Sequence, residues 1–212
     1  MKPTVTRRRA PRGQGEQLRA EILRAAAGLL AETGREEDVS IRAVAERVGV
    51  TSPSIYLHFA DKDTLLDAVC VDAFVDLHEA MAAAGAGTDD VVAALAAQGR
   101  AYIAFARSRP EHYRLMFMRR PDHDLEMPTE AEITAVAGLS TVIDTLRVAK
   151  QRGVIGVDDD PTRVALAMWA AVHGVAALLI AKPHFPWGDI DELIERVVTM
   201  TLYGVAAPVT AG

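Results

Sequence analysis

Cysteine and aromatic residues are scarce in this chain of 212 residues: it has one cysteine, and aromatics make up 5% of it. A single cysteine, Cys70, cannot form a disulfide within the chain, and there is no cysteine cluster of the kind that holds structural zinc. The fold must therefore depend on its hydrophobic core, which suits a protein of the reducing cytosol. No apolar stretch follows the basic start of the chain, so we expect no signal peptide and a cytoplasmic location.

Motifs of the common enzyme classes are also missing from the sequence. There is no His-Glu-x-x-His, no nucleophile elbow, no phosphate-binding glycine loop and no dinucleotide fingerprint. His112 and His123 lie among carboxylates, but not at the spacing of metal ligands, which favours a solvated loop. We therefore expect no enzyme activity, no metal site and no cofactor.

What the chain does have is a strong helical pattern. Half of its residues are apolar and a quarter are charged, and apolar residues recur at three- and four-residue steps between capping residues and glycines. This pattern predicts an all-α protein of about nine helices. We expect a mobile basic arm over residues 1–15, a first domain over 16–62 and a second helical domain over 63–212.

Charge is distributed unevenly along the chain. The net charge is −6, yet residues 1–62 carry 11 Lys and Arg against 8 Asp and Glu. A basic end on an otherwise acidic protein indicates a polyanion partner at that end, although a solvated tail has the same composition.

Two short helices near residue 50 form the most informative local pattern. Ser40 is a natural N-cap for the first of them, which Gly49 ends, and Ser52 followed by Pro53 begins the next. Only residues 49–51 join the two helices, which is the connection length of a helix-turn-helix motif. An ordinary helical corner has the same spacing.

The residues around this turn resemble the helix-turn-helix signature of the TetR family of bacterial transcriptional regulators. The matching stretch runs from Gly49 to Leu66 and contains the turn glycine, the hydroxyl residues that open the third helix, a Tyr-x-His-Phe group and a lysine after the helix end. The resemblance covers residues 17–66 in sequence and the whole chain in architecture. It implies an N-terminal three-helix DNA-binding domain and a C-terminal helical domain for ligand binding and dimerisation.

Compact side chains on the third helix suit a major groove, while polar tips and a positive charge suit contacts to phosphate. The residues that we expect to contact DNA are Thr51, Ser52, Pro53, Ser54, Tyr56, His58 and Lys62. Ile55 and Phe59 fall on the opposite face and are assigned to the core. Ser54 replaces the glycine that is common in the family, and it changes what would face the bases.

The apolar run 164–181 has the minimum length of a membrane span, but alanine dominates it and a histidine lies at its centre, which favours burial in protein. Small residues on one face of this helix would permit close packing with another helix. A stripe of apolar residues continues along the last helix. We expect a homodimer through the last two helices, 161–181 and 187–205. Two core helices of a monomer are the alternative.

The C-terminal half also resembles a subset of the family with a Trp-x-x-x-His-Gly group. Trp169 and His173 lie four residues apart and share one helix face, and the resemblance implies a cavity for a small-molecule inducer. The residues that we assign to this cavity are Phe105, Tyr113, Met116, Phe117, Trp169 and His173. Ordinary core packing is the competing interpretation.

Taken together, these features predict a homodimer that binds a palindromic operator in double-stranded DNA and releases it when a small molecule binds. An architectural or ligand-independent DNA-binding protein is the alternative. A regulator of the first kind prefers an inverted repeat to random DNA at physiological salt, whereas an architectural protein does not.

Overall fold

The computed structural model describes residues 14–119, 138–156 and 159–206. Within these ranges the chain forms nine α-helices, one short 3₁₀ helix (Glu36–Asp38) and no strand, which confirms the prediction of an all-α protein. The helices are α1 (Gln14–Thr33), α2 (Ile41–Val48), α3 (Ser52–Tyr56), α4 (Lys62–Gly85), α5 (Val91–Ser108), α6 (Pro110–Phe117), α7 (Leu139–Gln151), α8 (Pro161–Ala181) and α9 (Ile190–Ala206).

The chain divides into two compact units between Val69 and Cys70, inside α4. The sequence analysis set the boundary at residue 62 because the start of α4 is visible in the sequence. The first two turns of α4 belong to the first unit, where the side chains of Leu65 and Leu66 are completely buried. The division of the chain into compact units thus lies seven residues beyond the expected boundary.

The first unit is built on the inward faces of α1, α2 and α3. Ile22, Val44 and Ile55 supply one fully buried side chain from each helix. On the surface, the Arg47 guanidinium of α2 donates two hydrogen bonds to the Glu32 carboxylate of α1, one of them 2.9 Å long. A bidentate pair of this kind fixes the orientation of the two helices more firmly than a single contact.

The second unit has α5 and α8 at its centre. These two helices pack on each other, and both also pack on α7 and α9. Arg100 and Arg107 of α5 form ion pairs with Glu195 and Asp191 of α9 at the surface. Beneath them the core is made of Leu, Ile, Val, Ala and Met side chains together with the rings of Tyr102 and Tyr113.

Helix α8 begins and ends as the sequence predicts, whereas the start of α9 differs. The last helix was expected from residue 187, but it starts at Ile190 because the Asp189 carboxylate accepts hydrogen bonds from the amides of Asp191 and Glu192. In the same way Asp90 caps α5 by accepting from Val92 N.

The apolar helix α8 is long and hydrophobic enough to cross a membrane by length and composition, and a third of its most apolar window is buried inside the unit. Its buried positions recur at three- and four-residue steps and face α5, α7 and α9. One such helix is weak evidence for a membrane span. An apolar helix in the centre of a helical unit accounts for the same composition.

Other predictions lie at the edges of the described ranges. Most of the expected arm, residues 1–13, lies outside the described residues, as do His123 and its neighbouring carboxylates. Gln14 and Gly15, which were assigned to the arm, are already part of α1.

Candidate functional site

The turn between α2 and α3 is held by local hydrogen bonds that the sequence encodes. The Ser40 hydroxyl accepts a hydrogen bond from Ala43 N and caps α2. Gly49 ends the helix with φ +76°, in the left-handed region that favours glycine, and Val50 N donates to Ala45 O over 2.9 Å. After α3, the Asp61 carboxylate accepts from Thr64 N over 2.7 Å and starts α4. These contacts fix the direction in which α3 leaves α2.

Helix α3 has one buried face and one exposed face. Ile55 and Phe59 are buried in the core of the first unit, as predicted. On the other face Tyr56 is 55% exposed and Leu57 is 70% exposed, although the helix ends at Tyr56 instead of reaching Phe59. Six of the seven side chains that were assigned to DNA are exposed or half-buried: Thr51, Ser52, Pro53, Tyr56, His58 and Lys62.

Ser54 is the exception and corrects the sequence analysis. It was expected to face the bases, but its residue is 7% exposed. Its hydroxyl lies 3.0 Å from the Thr51 hydroxyl, and its amide donates to Thr51 O over 2.8 Å. Because both polar groups are satisfied within the first turn of α3, Ser54 packs inward and stabilises the turn.

Lys62 lies where the sequence placed it, at the start of α4, but its ammonium group has a partner within the chain. Its Nζ donates a hydrogen bond of 2.7 Å to Glu36 O in the 3₁₀ helix. An ammonium group has three donor hydrogens, so this contact leaves donors for a phosphate oxygen. The bond also holds the 3₁₀ helix against α4.

Leu57 is the feature of this surface that the sequence analysis missed. Among the described residues of the first unit it is the most exposed large apolar side chain, and it directly follows Tyr56. An exposed apolar side chain next to polar ones suits contact with a thymine methyl group or a sugar. Its only signal in the sequence is its position between Tyr56 and His58.

In the second unit, four polar groups from three helices form one hydrogen-bonded network, in which the two tyrosines are buried and Trp169 and His173 are half-buried. The indole Nε1 of Trp169 donates to the Tyr102 hydroxyl over 3.1 Å. The Tyr102 hydroxyl lies 3.2 Å from the Tyr113 hydroxyl and 2.9 Å from His173 Nδ1. Tyr113 Oη lies 2.7 Å from the same nitrogen. We call these residues, Tyr102, Tyr113, Trp169 and His173, the polar network.

One proton arrangement satisfies the whole network. Trp169 donates to Tyr102, Tyr102 to Tyr113, and Tyr113 to an unprotonated His173 Nδ1, so that every donor has an acceptor. Burial supports this arrangement. It raises the pKa of Tyr102 to about 12, raises the pKa of Tyr113 further, and lowers the pKa of His173. The network is therefore uncharged at neutral pH.

Aromatic rings surround the network. The Phe117 ring lies 4.9 Å from the His173 ring and 4.8 Å from the Tyr113 ring, centroid to centroid, and makes an edge contact with Phe74 of α4. Four of the residues assigned to a cavity thus lie together: Tyr113, Phe117, Trp169 and His173. Met116 packs against the core of the unit.

Phe105 belongs to a different part of the unit. It is buried, and the Arg109 guanidinium lies over its ring at 5.2 Å from the centroid. Arg109 also pairs with Asp76 of α4. The ring is thus part of the core beneath a surface ion pair.

A small cavity of about 30 Å³ lies beside the polar network. Two of the network's residues, Tyr102 and Trp169, are in its wall, and the remaining lining residues are apolar or glycine. The lining residues are Met81, Leu95, Gly99, Tyr102, Leu139, Val142, Ala165, Met168, Trp169 and Val172. Roughly 10–15 Å³ admits one water molecule, so the cavity in this conformation has room for only two or three.

Of the six residues that the sequence analysis assigned to a cavity, Trp169 is in this wall. The other five are not among its lining residues: Phe105, Tyr113, Met116, Phe117 and His173. Tyr102, the centre of the network, was not named. It lies 67 positions from Trp169 on a different helix, so no spacing within one helix connects the two residues. Met81 of α4 was not named for the same reason, and Met168, the neighbour of Trp169 on α8, was not named either.

Among the described residues no group of three or more His, Cys, Asp or Glu side chains is placed to hold a metal ion. His112, which the sequence places among carboxylates, is half-buried in α6. Burial lowers its pKa most and the Arg109 charge lowers it further, against the opposing effect of Asp76 and Glu111. The site thus favours a neutral imidazole.

Two family models match the chain in the order of its two units. Residues 22–69 match the model described as bacterial regulatory proteins of the tetR family, and residues 95–201 match the tetracyclin repressor-like C-terminal domain. No curated protein sequence gives a significant match.

Solved structures resemble the chain over nearly its whole length. A protein of unknown function from Rhodococcus sp. RHA1 is 25% identical with a TM-score of 0.74, covering 96% of this chain and all of its own. A TetR family transcription regulator from Marinobacter aquaeolei VT8 is 20% identical with a TM-score of 0.67, over 93% of this chain and all of its own.

A third structure, the fatty acid degradation regulator FadR from Bacillus halodurans, is 18% identical with a TM-score of 0.67, over 87% of this chain and 98% of its own. At these identities the last two show a shared fold. The helix-turn-helix with its exposed outer face and the two matching family models lead to one conclusion: the chain belongs to the TetR family of bacterial transcriptional regulators, which are DNA-binding proteins.

Proposed function

We propose that this DNA-binding regulator is a cytoplasmic homodimer that represses transcription from a palindromic operator and leaves it when a small molecule binds. The observation that supports DNA contact most directly is the two-sided character of α3. Its inner face forms the core of the first unit, while Thr51, Pro53, Tyr56 and Leu57 are exposed. A surface of compact and polar side chains around a helix-turn-helix suits a major groove.

In this proposal Tyr56, His58 and Lys62 contact phosphates, and Thr51, Ser52, Pro53 and Leu57 face base edges or sugars. Ser54 is no longer included, because it is buried. Phosphate contacts fix the register of α3 on DNA, and contacts to base edges supply the sequence preference. With no arginine on α3, contacts to thymine methyls and hydroxyl contacts are expected to dominate.

Tyr56→Phe tests the phosphate contact because it removes one exposed hydroxyl and leaves the ring in place. Loss of one hydrogen bond of about 0.5–1.5 kcal/mol weakens binding roughly 2- to 10-fold in each half-site. Thr88→Ala, which removes an exposed hydroxyl outside the helix-turn-helix and outside α8 and α9, is the control. Binding of the full chain to DNA upstream of its own gene would be followed by fluorescence anisotropy. Equal affinity of both variants and the parent protein would refute the contact.

The same assay separates a repressor from an architectural protein. Random competitor DNA at physiological salt should leave most of the specific complex intact, because specific sites are bound about 10³- to 10⁷-fold more tightly than random sequence. Two-fold symmetry places the two copies of α3 in major grooves about 34 Å apart, so the half-sites should lie one helical turn apart or a multiple of it. Equal competition by operator and random DNA would support the architectural alternative.

Apolar surface on α8 and α9 supports the homodimer. In the single chain Leu166 and Leu178 of α8 and Met200 of α9 are exposed, and a side chain added at Gly174 would meet open space. The apolar stripe predicted for α9 is divided, because Ile194 and Val198 are buried in the chain's own core. A second copy of the chain that packs on the uncovered faces would remove them from water.

Leu178→Glu tests the homodimer, since it places a charge on the proposed interface. Val92→Glu on α5, at another exposed apolar side chain, is the matched control. Sedimentation equilibrium should give a monomer for Leu178→Glu and a dimer for Val92→Glu and for the parent protein. A parent protein that is monomeric at micromolar concentration would refute this part of the proposal.

We propose that the small molecule binds in the cavity beside the polar network. Its wall includes Met81 of α4, the helix that begins at Lys62. A ligand that displaces Met81 therefore acts on a helix that also carries a DNA-contact candidate. Typical coupling of about 1–3 kcal/mol would weaken operator binding 5- to 150-fold.

A further inference from the structure

The chemical character of the cavity limits which molecules it accepts. Among the residues that the structure describes, the lining contains no Lys, Arg, His, Asp or Glu side chain. An ionised group that enters such a wall loses its hydration and gains no counter-charge, which costs several kcal/mol or more. The lining thus selects against charged ligands.

The polar network does not supply the missing charge. The pKa of Tyr102 is raised to about 12 by burial, so at neutral pH its hydroxyl offers no negative charge to an ammonium group. His173 Nδ1 already has two tyrosine hydroxyls within 3 Å, and burial lowers its pKa, so it offers no positive charge to a carboxylate.

The Tyr102 side chain is in the cavity wall, and its oxygen retains one unused acceptor position. The Tyr102 oxygen accepts from Trp169 Nε1 and donates its own hydrogen within the network. A phenol oxygen has a second lone pair, which can accept one more hydrogen bond. A ligand with a single hydroxyl or amide N–H satisfies this position without leaving other polar groups unpartnered.

The size of the cavity requires its wall to move. A cavity of about 150 Å³ holds benzene, whereas this one has about 30 Å³. Met81 and Met168 are the unbranched, flexible side chains of the wall, and the Met81 sulfur packs against Gly138. Changes in their rotamers would enlarge the cavity, and a ligand that presses on Met81 would also press on α4.

We propose, resting on the ligand response argued above, that the molecule recognised by this cavity is small, uncharged and predominantly apolar, with at most one hydrogen-bond donor directed at the Tyr102 oxygen. The cavity thus selects its ligand because it excludes charged groups and offers one hydrogen bond, to the Tyr102 oxygen. Carboxylates and ammonium compounds of the same shape are rejected.

Three probes of equal chain length test this assignment: 1-hexanol, hexanoate and hexylammonium at pH 7.5. Trp169 lies in the cavity wall and serves as the reporter, while Trp187, whose indole donates to Lys182 O outside the cavity, is replaced by Trp187→Phe. In this full-length background 1-hexanol should change the emission saturably. The two charged probes should bind at least 100-fold more weakly.

Gly99→Ala tests whether 1-hexanol binds in this cavity. A Cβ at Gly99 would lie 3.5 Å from Val198 and 3.6 Å from Val172, which are ordinary contacts, so the variant should fold with less space in the cavity. One methyl group in an apolar pocket changes affinity about 10- to 200-fold, and 1-hexanol should bind at least tenfold more weakly. Gly87→Ala, where a Cβ meets open space outside α8 and α9, should bind it as the parent does.

The possible results distinguish the proposed ligand class from the proposed ligand response. Equal binding of a charged probe, no saturable binding of 1-hexanol, or unchanged affinity in Gly99→Ala would overturn the assignment of the ligand class. Operator affinity, measured in parallel, tests the ligand response separately. Saturable, Gly99-dependent binding of 1-hexanol without a change in operator affinity would support the ligand class and refute the response. Release of operator DNA by hexanoate would refute the ligand class and support the ligand response.

Discussion

Removal of a single hydroxyl from the polar network tests whether its hydrogen bonds are arranged as described. In Tyr102→Phe the ring stays in the core and only the oxygen is lost. That oxygen is the acceptor for Trp169 Nε1 at 3.1 Å and lies within hydrogen-bond distance of both Tyr113 and His173. The residue is 1% exposed, so water does not readily replace the missing atom.

The expected cost follows from which groups lose a partner. In Tyr102→Phe the Trp169 N–H is left without its acceptor, at about 1–3 kcal/mol, and a hydrogen bond worth about 1 kcal/mol is lost as well. In Tyr113→Phe no group is stranded, because the Tyr102 hydroxyl can turn to His173 Nδ1 at 2.9 Å. That change costs about 0.5–1.5 kcal/mol. We therefore expect Tyr102→Phe to be the more destabilising of the two by at least about 1 kcal/mol.

Urea unfolding followed by tryptophan emission measures this difference in the free energy of unfolding for the second unit of the chain. The chain has two tryptophans, Trp169 and Trp187, and both lie in the second unit, so the signal reports that unit alone. Tyr203→Phe, at an exposed tyrosine, should change the free energy of unfolding by less than about 0.5 kcal/mol. If Tyr113→Phe is as costly as Tyr102→Phe, or if Tyr102→Phe is neutral, the proposed direction of the hydrogen bonds is wrong.

Three further changes test other features. Gln98 is buried, and its Oε1 has no partner among the described residues, so Gln98→Met should leave the urea midpoint unchanged or raise it; a loss above 1 kcal/mol would contradict this. Gly49→Ala should cost about 1–2 kcal/mol at φ +76°, measured by circular dichroism of the full chain, where no loss would refute the strain. Burial lowers the pKa of His173 from 6.5, so below that pH the unfolded state binds more protons than the folded state. The contribution of the neutral His173 to the free energy of unfolding is therefore complete above pH 6.5. It is lost as the pH falls toward the pKa that His173 has in the folded state. His173→Gln should thus show a smaller drop in urea midpoint between pH 7 and 5 than the parent, and an equal drop would assign the effect elsewhere, with His112 as the first alternative.

Features that depend on neighbouring residues in the chain were predictable from the sequence. The Ser40 cap, the left-handed Gly49 and the Asp61 cap each involve groups no more than four residues apart, and their residue types have few alternative uses. Helix α8 was bounded correctly because Pro161 and Pro183 flank a continuous apolar stretch. These signals place α3 in the chain and set its buried face through Ile55.

Features that depend on packing were not predictable in the same way. A serine on α3 has equal reason to face DNA or to cap a turn, and only the 3.0 Å contact with Thr51 shows that Ser54 turns inward. The polar network joins α5, α6 and α8, so the role of Tyr102 depends on how distant helices pack. Helical spacing does pair Trp169 with His173, and that pair was found.

The composition of α4 bears on how the proposed ligand response would reach the first unit. This helix buries Leu65 and Leu66 in the first unit and contributes Met81 to the cavity of the second. Between Lys62 and Gly85 it has neither proline nor an internal glycine, the residues at which helices bend sharply. A helix of this composition bends little, so a shift of Met81 by a ligand would be carried along α4 toward Lys62 and its bond to Glu36 O rather than absorbed at a kink.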